Sequence, residues 1–447
     1  MKILVVGINY APELIGIGKY TTEMCNELRR KGHEVTVVTA PPYYPDWRIV
    51  KPYSGFAYSS EVVDGIEVVR CPLYVPSLPR AFHRILHHLS FAITSAPAIL
   101  VQALKVRPDV VLSVAPSLLS APAALVAGKL SGAATWLHIQ DFEVDAAFNL
   151  NFLSGGWLRR AALWCEKKLL TSFDLVSAIS AKMVDLLHSK GVSRFRAFEF
   201  RNWVDTAAIE SQLADAARAE WRSALLERAS GTLVLYSGNI GAKQGFEVLA
   251  EAARRLAPDR PDIVFVFCGA GAMKERLMQS TADLPNVRFL ELQPAESFRK
   301  LLISADIHLL PQCSEIQDLA LPSKLGGMLV SGRPIVAMAA AETQLASELA
   351  DVGVVVAPGD PDAVIEAVLR LASDSKLRDV LGTNGQHLAH RRWERGSVLA
   401  EAEARLLDLL ARRRKGATGF GLPVSAAVRP QVAGGDDLKL PEKKPLR

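Results

Sequence analysis

Five cysteines in 447 residues (Cys25, Cys71, Cys165, Cys268 and Cys313) are odd in number and scattered, and none forms a CxxC pair. That pattern excludes a disulfide framework and a cysteine-rich zinc site, and it fits a reducing compartment. Long apolar runs are also missing. The longest, Leu89 to Leu104, is broken by Ser90, Thr94, Ser95, Pro97 and Gln102, short of the roughly 20 residues a spanning helix needs. Met1-Lys2 leads straight into Ile3-Leu4-Val5-Val6, too short for the apolar part of a secretory signal and readable as a first strand. Histidines number nine, and His83 and His87, spaced i, i+4, have no third ligand nearby; no metal is expected. The chain is 49% hydrophobic and 22% charged, which excludes disordered and collagen-like classes. Its length suggests two domains or more.

What is present is an alternation of short Val/Ile/Leu runs with amphipathic segments. Lys2–Gly7, Glu34–Thr39, Val110–Val114 and Ala134–Ile139 read as strands, with helical stretches such as Lys19 to Lys31 between them. Continuous rather than alternating apolar runs suit strands buried on both faces of a parallel sheet. The pattern restarts with Thr232–Ser237, Ile263–Cys268, Val287–Glu291, Ile307–Pro311, Pro334–Ala337 and Gly353–Val356. The expected fold class is therefore α/β, two Rossmann-like doubly wound domains facing across a cleft. Residues 1–204 and 205–390 form the two domains, 391–413 a closing helix and 414–447 a disordered basic tail.

Two glycine-bearing turns follow strands. After the first strand, Gly16 and Gly18 precede a helix; Lys19 is followed by Tyr20, so this is no P-loop, and Thr21 stands where a dinucleotide fingerprint has its third glycine. The competing reading is a plain tight turn. The second domain opens with Gly238-Asn239-Ile240-Gly241-Ala242-Lys243-Gln244-Gly245, where close backbone approach and Lys243 suit a diphosphate. Leu321-Pro322-Ser323-Lys324 reads as a helix start, with Lys324 opposed to the helix dipole and so suggestive of an anionic partner. Phe267-Cys268-Gly269-Ala270-Gly271 reads as turn chemistry. His138 and Asp141, after the fourth strand, are candidates to orient or deprotonate a hydroxyl. Asp360 before Pro361 reads as a helix N-cap.

These motifs together resemble glycosyltransferase family 4, of two-domain GT-B architecture, over roughly residues 1 to 413. The family match also rests on the hinge stretch Asn202-Trp203-Val204-Asp205 and on Arg392-Trp393-Glu394. Within the family the chain is similar to the colanic acid and exopolysaccharide biosynthesis transferases through Gln140-Asp141-Phe142-Glu143-Val144-Asp145 and the Asn-Ile-Gly variant of the second glycine loop. The resemblance implies a retaining, metal-independent transferase needing no cofactor, moving a sugar from a nucleotide diphosphate sugar to a lipid-linked oligosaccharide. GDP-fucose, another GDP-sugar and a UDP-sugar all remain open. Donor contacts fall at Gly16, Gly18, Gly238, Asn239, Gly241, Lys243, Gln293, Pro294, Leu321, Pro322, Ser323 and Lys324. Acceptor contacts fall at Gly16, Gly18, His138 and Asp141, and the catalytic candidates are Asp141, His138, Lys243 and Lys324. One departure stands out: Leu319 and Gly327 occupy the places of the family's glutamate pair. A non-catalytic sugar-nucleotide sensor or scaffold is the alternative this leaves; a pyridoxal-type phosphorylase lacks its lysine segment.

The net charge of +5 is unevenly spread. Residues 1–204 carry 22 basic and 16 acidic groups, 205–411 carry 21 and 28, and 412–447 carry 9 and 3. Arg80 to Phe91, basic and apolar together, suits an interfacial helix, so residues 80–104 are expected to touch an anionic membrane. The expected location is cytoplasmic, peripheral to the inner face of the plasma membrane, with a polyprenyl-diphosphate-linked saccharide as acceptor and no nucleic-acid partner.

Overall fold

The computed structural model describes the chain apart from residues 14–15, 78–80, 143–155, 207–210, 227–229, 242–243, 314–320 and 417–447. Lys243, Arg80, Leu319, the Glu143 to Asp145 phrase and most of the basic tail lie outside the described residues. The first half runs β1 (Lys2–Gly7), α1 (Gly16–Arg30), β2 (Glu34–Thr39), β3 (Ser59–Val63), β4 (Ile66–Arg70), α2 (Ala81–Val106), β5 (Val110–Ala115), α3 (Ala121–Ser131), β6 (Ala134–Ile139), α4 (Gly156–Ser172), β7 (Leu175–Ala178), α5 (Ala181–Ser189) and β8 (Ala197–Glu199). The second comprises α6 (Ser211–Leu225), β9 (Thr232–Ser237), α7 (Phe246–Leu256), β10 (Ile263–Cys268), α8 (Lys274–Ser280), β11 (Val287–Leu290), α9 (Ala295–Ser304), β12 (Ile307–Pro311), α10 (Leu325–Val330), β13 (Ile335–Met338), α11 (Gln344–Leu349), β14 (Gly353–Val356), α12 (Pro361–Ser373) and α13 (Ser375–Arg392). A last helix, α14 (Arg395–Gly416), follows.

Two sheets result. The first has strand order β3-β4-β2-β1-β5-β6-β7-β8, parallel except for β3. The second, β11-β10-β9-β12-β13-β14, is parallel throughout. Central strands are buried along their whole length, β5, β6, β9 and β10 without an exposed residue, which is why their sequences are continuously apolar. Right-handed crossovers then decide which helix covers which face. The chain steps one way from β1 to β2 and the other way from β4 through β5, β6 and β7. Hence α1 covers one face, while α2, α3 and α4 lie side by side on the other. The cores agree: Ile3 and Val5 meet Tyr20 and Met24, whereas Leu4 and Val6 meet Phe91, Ile99 and Ala103.

Helix α2 corrects one expectation. It is 26 residues long, tolerates Pro97 within it, and is long and apolar enough to cross a membrane by length and composition alone. Its inner side nevertheless packs on the sheet, with Phe91, Ile99 and Ala103 fully buried. Its outer side leaves Phe82, Ile93, Val101 and Leu104 about 60% exposed. His87 is buried and hydrogen-bonds the Tyr74 carbonyl at 2.7 Å through Nδ1.

The single helix anticipated over Arg391 to Arg413 is instead two, broken at Trp393. The Glu394 carboxylate caps the second, accepting from Gly396 N at 2.7 Å and Ser397 N at 2.5 Å. Helix α14 returns to the first domain, where Leu399, Ala402 and Leu406 are buried in the same cluster as Ile3 and Trp203. Glu403 fastens it through Lys31 Nζ at 2.6 Å and His33 Nε2 at 2.7 Å.

Candidate active site

Between the sheets' carboxyl ends lies a cleft whose hinge side is lined by Tyr20, Asn202 and Trp203 from the first domain and Pro322, Ser323 and Trp393 from beyond it. The chain crosses twice at one point: Val204 N donates to the Trp393 carbonyl at 2.8 Å, a bridge between the outgoing and returning segments. Trp203 is fixed by an indole hydrogen bond to Glu23 at 2.6 Å and an edge contact with Tyr20 at 5.2 Å. Arg201, buried, reaches Glu199 at 2.8 Å and Glu348 at 2.9 Å; Arg392 reaches Glu348 at 2.9 Å. This ion-pair cluster joins both domains beside the hinge, and burial raises the Glu199 pKa.

On the second domain, two glycine loops run in contact. Gly238, Gly269 and Gly271 all have positive φ. A Cβ on Gly269 would stand 1.9 Å from the Gly238 carbonyl oxygen, and one on Gly271 would stand 2.4 Å from that of Ile240. Backbone bonds close the contact, from Gly238 N to Cys268 O at 3.0 Å and from Ile240 N to Ala270 O at 2.9 Å. The 269–271 segment is thus packed as a structural part of the 238–245 glycine loop, which local turn propensity alone did not reveal. Gly241 N is held by Gln244 Oε1 at 3.1 Å.

Lys324, 86 residues away, comes to this loop. Its ammonium sits 4.1 Å from the centroid of the Tyr236 ring and packs against Gly238. The Tyr236 hydroxyl donates to Asn239 O at 2.6 Å, so the ring that carries Lys324 also shapes the glycine turn. Among the described residues no carboxylate pairs with Lys324. Burial pushes its pKa down from 10.5 to about 7. Helix α10 begins only after Lys324, so Pro322 and Ser323 belong to the preceding turn and not, as expected, to the first helical turn. Gln293 and Pro294 lie between β11 and α9, Gln293 bonding the Glu291 carbonyl at 2.9 Å.

On the first domain, Gly16 has φ +62° and faces the exposed Tyr44 ring, while a Cβ on Gly18 would strike Glu13 Oε2 at 2.8 Å. Glu13 is a residue sequence reasoning passed over. Its buried carboxylate accepts from Tyr43 N and Tyr44 N, each at 3.0 Å, and from Asn9 Nδ2 at 2.8 Å. It ties the β1–α1 turn to the segment after β2, and burial raises its pKa. The signal in sequence was faint: an acid between Pro12 and an apolar run.

His138 requires a correction. Rather than facing the cleft as a base, it is buried beneath it, against Phe200 at 4.8 Å. Nδ1 lies 2.9 Å from Ser177 Oγ, and Nε2 lies 3.0 Å from the Gln140 amide nitrogen, which also donates to Asn202 at 3.0 Å. Burial lowers its pKa to about 3, so it stays neutral and positions Gln140. Asp141 is exposed just after β6. Among the described residues no group of three His, Cys, Asp or Glu side chains clusters for a metal.

Two parallel doubly wound domains, joined at a double crossing and meeting at their strands' carboxyl ends, define the GT-B glycosyltransferase class. Residues 16–203 match the family described as "Glycosyl transferase 4-like domain", and residues 231–374 match "Glycosyl transferases group 1". The chain is 41% identical over 377 residues to a putative colanic acid biosynthesis glycosyl transferase WcaI of Escherichia coli K12, covering 82% of this chain and 91% of that protein. Solved structures of similar fold include a sucrose-phosphate synthase from Thermosynechococcus elongatus (TM-score 0.67, 15% identity, 94% of this chain and all of that one) and Anabaena HepE in complex with UDP (TM-score 0.60, 15% identity, 94% and all). The chain belongs to glycosyltransferase family 4 and is an enzyme of that class.

Proposed function

We propose that this enzyme transfers a glycosyl group from a UDP- or GDP-sugar, GDP-fucose among them, to a polyprenyl-diphosphate-linked saccharide during exopolysaccharide assembly, with retention of configuration. The observation that carries the donor half is the Lys324 ammonium laid over Tyr236 against the Gly238 turn, a cation with no carboxylate partner among the described residues. As the glycosidic bond breaks, charge develops on the leaving diphosphate, and a preorganised ammonium and backbone N–H groups stabilise it. Lys243, outside the described residues, belongs to the same segment and is assigned the same role. Asp141 is assigned to the acceptor hydroxyl, with Gly16 and Gly18 shaping the acceptor's approach; His138 supports the floor beneath. The HepE complex with UDP supports a uridine donor only as fold-level analogy, and the similarity to the colanic acid protein supports the pathway class.

The acceptor half rests on the outer side of α2, where an apolar stripe and Arg84 suit peripheral contact with the cytoplasmic face of an anionic membrane. The test is incubation of the purified chain with polyprenyl-diphosphate-linked saccharide and radiolabelled UDP- or GDP-sugars. Extension by one sugar supports the proposal. Tight nucleotide-sugar binding with no transfer across the panel overturns it in favour of a sensor.

A further inference from the structure

Large exposed hydrophobic side chains are not evenly shared between the domains. Among the described residues, eighteen of them, from Tyr44 to Phe195, belong to the first domain, against Met278, Leu292 and Val380 in the second and Leu407 on α14. A soluble surface scatters such residues singly, whereas a one-sided accumulation marks an interaction face. The topology sharpens the location. Helices α2, α3 and α4 lie on one face of the first sheet, and α3 packs between the other two. Each turns apolar groups outward: Ile93 and Val101 from α2, Val126 and Leu130 from α3, and Trp157 and Trp164 from α4.

The two tryptophans are 77% and 61% exposed. Seven residues apart, they share one side of their helix. Exposed Arg160, Lys167 and Lys168 flank them, and Lys168 Nζ stands 5.9 Å over the Trp164 ring. An indole with an apolar body and a polar N–H, set among long cationic side chains, has the chemistry of the headgroup layer of an anionic bilayer.

We propose that the membrane-docking surface spans α2 to α4, with Trp157 and Trp164 seated among anionic headgroups as a second anchor distinct from the α2 stripe. This rests on the peripheral-membrane reading above and extends it to a surface that reading did not include. Two contact lines on one face fix the domain's tilt as well as its attachment. A single helix would leave the domain free to roll; two hold the cleft at a set height and direction over the bilayer.

The full chain is mixed with vesicles of phosphatidylglycerol and phosphatidylethanolamine, with or without lipids brominated high on the acyl chain, and tryptophan quenching is read. Wild type is expected to quench, and Trp157→Phe with Trp164→Phe to lose that quenching while binding UDP- or GDP-sugar as before. Lys167→Gln with Lys168→Gln should weaken partitioning by about fivefold per cation removed. Ile93→Trp, placed on α2 in the double-Phe background, separates the two ideas. Quenching there, with none at the native pair in wild type, overturns the α4 anchor and leaves the α2 reading standing. No quenching at either position overturns both. A dimer in solution that the double-Phe variant dissociates also overturns the proposal, assigning the face to a second copy of the chain.

Discussion

Raising the pH from 6 to 9 should weaken donor binding through one side chain. Lys324 is carried over an aromatic ring in a desolvated position, and its pKa falls to about 7. A diphosphate attracts the ammonium form and not the amine. If only the ammonium binds, the apparent Kd scales as 1 + 10^(pH − 7). The factor is about 2 at pH 7, roughly 11 at pH 8 and roughly 100 at pH 9, each tenfold step being about 1.36 kcal/mol. The rise levels off once the pH passes the pKa of the bound ammonium, which the ligand's charge raises. The assay is calorimetric titration with an intact nucleotide diphosphate sugar, whose phosphodiester groups do not titrate in this range. At pH 8, buffers of different ionisation heat should report uptake of about 0.9 proton per donor bound. Lys324→Arg, charged throughout, should flatten the profile. The free protein should show the opposite trend in stability. Unfolded Lys324 keeps its proton up to about 10.5 while the folded residue loses it near 7; stability therefore rises with pH across that window. A wild-type Kd constant from pH 6 to 9, or an equally steep Arg variant, would refute the reasoning.

Gly269→Ala forces a Cβ onto the Gly238 carbonyl oxygen at positive φ; it should cost about 1–3 kcal/mol in strain and abolish donor binding, seen as loss of the thermal shift with UDP- or GDP-sugar. Glu348→Ala removes one of the two carboxylates paired with buried Arg201 and should cost about 1.5–3 kcal/mol in urea denaturation, the worth of a hydrogen bond to a charged group, whereas Glu348→Gln, retaining a hydrogen-bond acceptor, should cost less. His138→Asn should leave the shape of the pH–rate profile between 5 and 8 unchanged, because His138 is already neutral there; a lost or shifted limb would return the residue to acid–base work. Leu406→Asp should destabilise the first domain, where Leu406 is 1% exposed, read as a lowered melting temperature with the donor-induced shift preserved.

Strands such as β1, β5 and β9 were legible because burial on both faces demands an unbroken apolar run. β3 escaped notice because its residues are half or fully exposed and its partner is a lone antiparallel neighbour at the edge. β7 and β8, four and three residues long, are defined by pairing rather than by local pattern. The candidate site divides the same way. Glycine turns after strands are local and could be read. The contact of Lys324 with Tyr236, the clash that requires Gly269, and the anchoring of Tyr43 and Tyr44 by Glu13 are products of distant segments meeting, and no window of sequence contains them. His138 misled because a histidine at a strand's carboxyl end looks the same whether its ring turns to the cleft or to Ser177.

The return of α14 has a consequence for how the chain is made. The first domain leaves the ribosome first, yet its core is missing Leu399, Ala402 and Leu406 until α14 has been made. About 190 residues separate Val204 from Arg395, so at roughly 5–20 residues per second the open groove beside α1 waits roughly 10–40 s to be filled. During that interval the nascent domain presents an uncovered apolar trough to chaperones or to neighbouring chains, and the second domain completes its own sheet while the first is still unfinished. Translation speed over the second half therefore bears on the yield of the first.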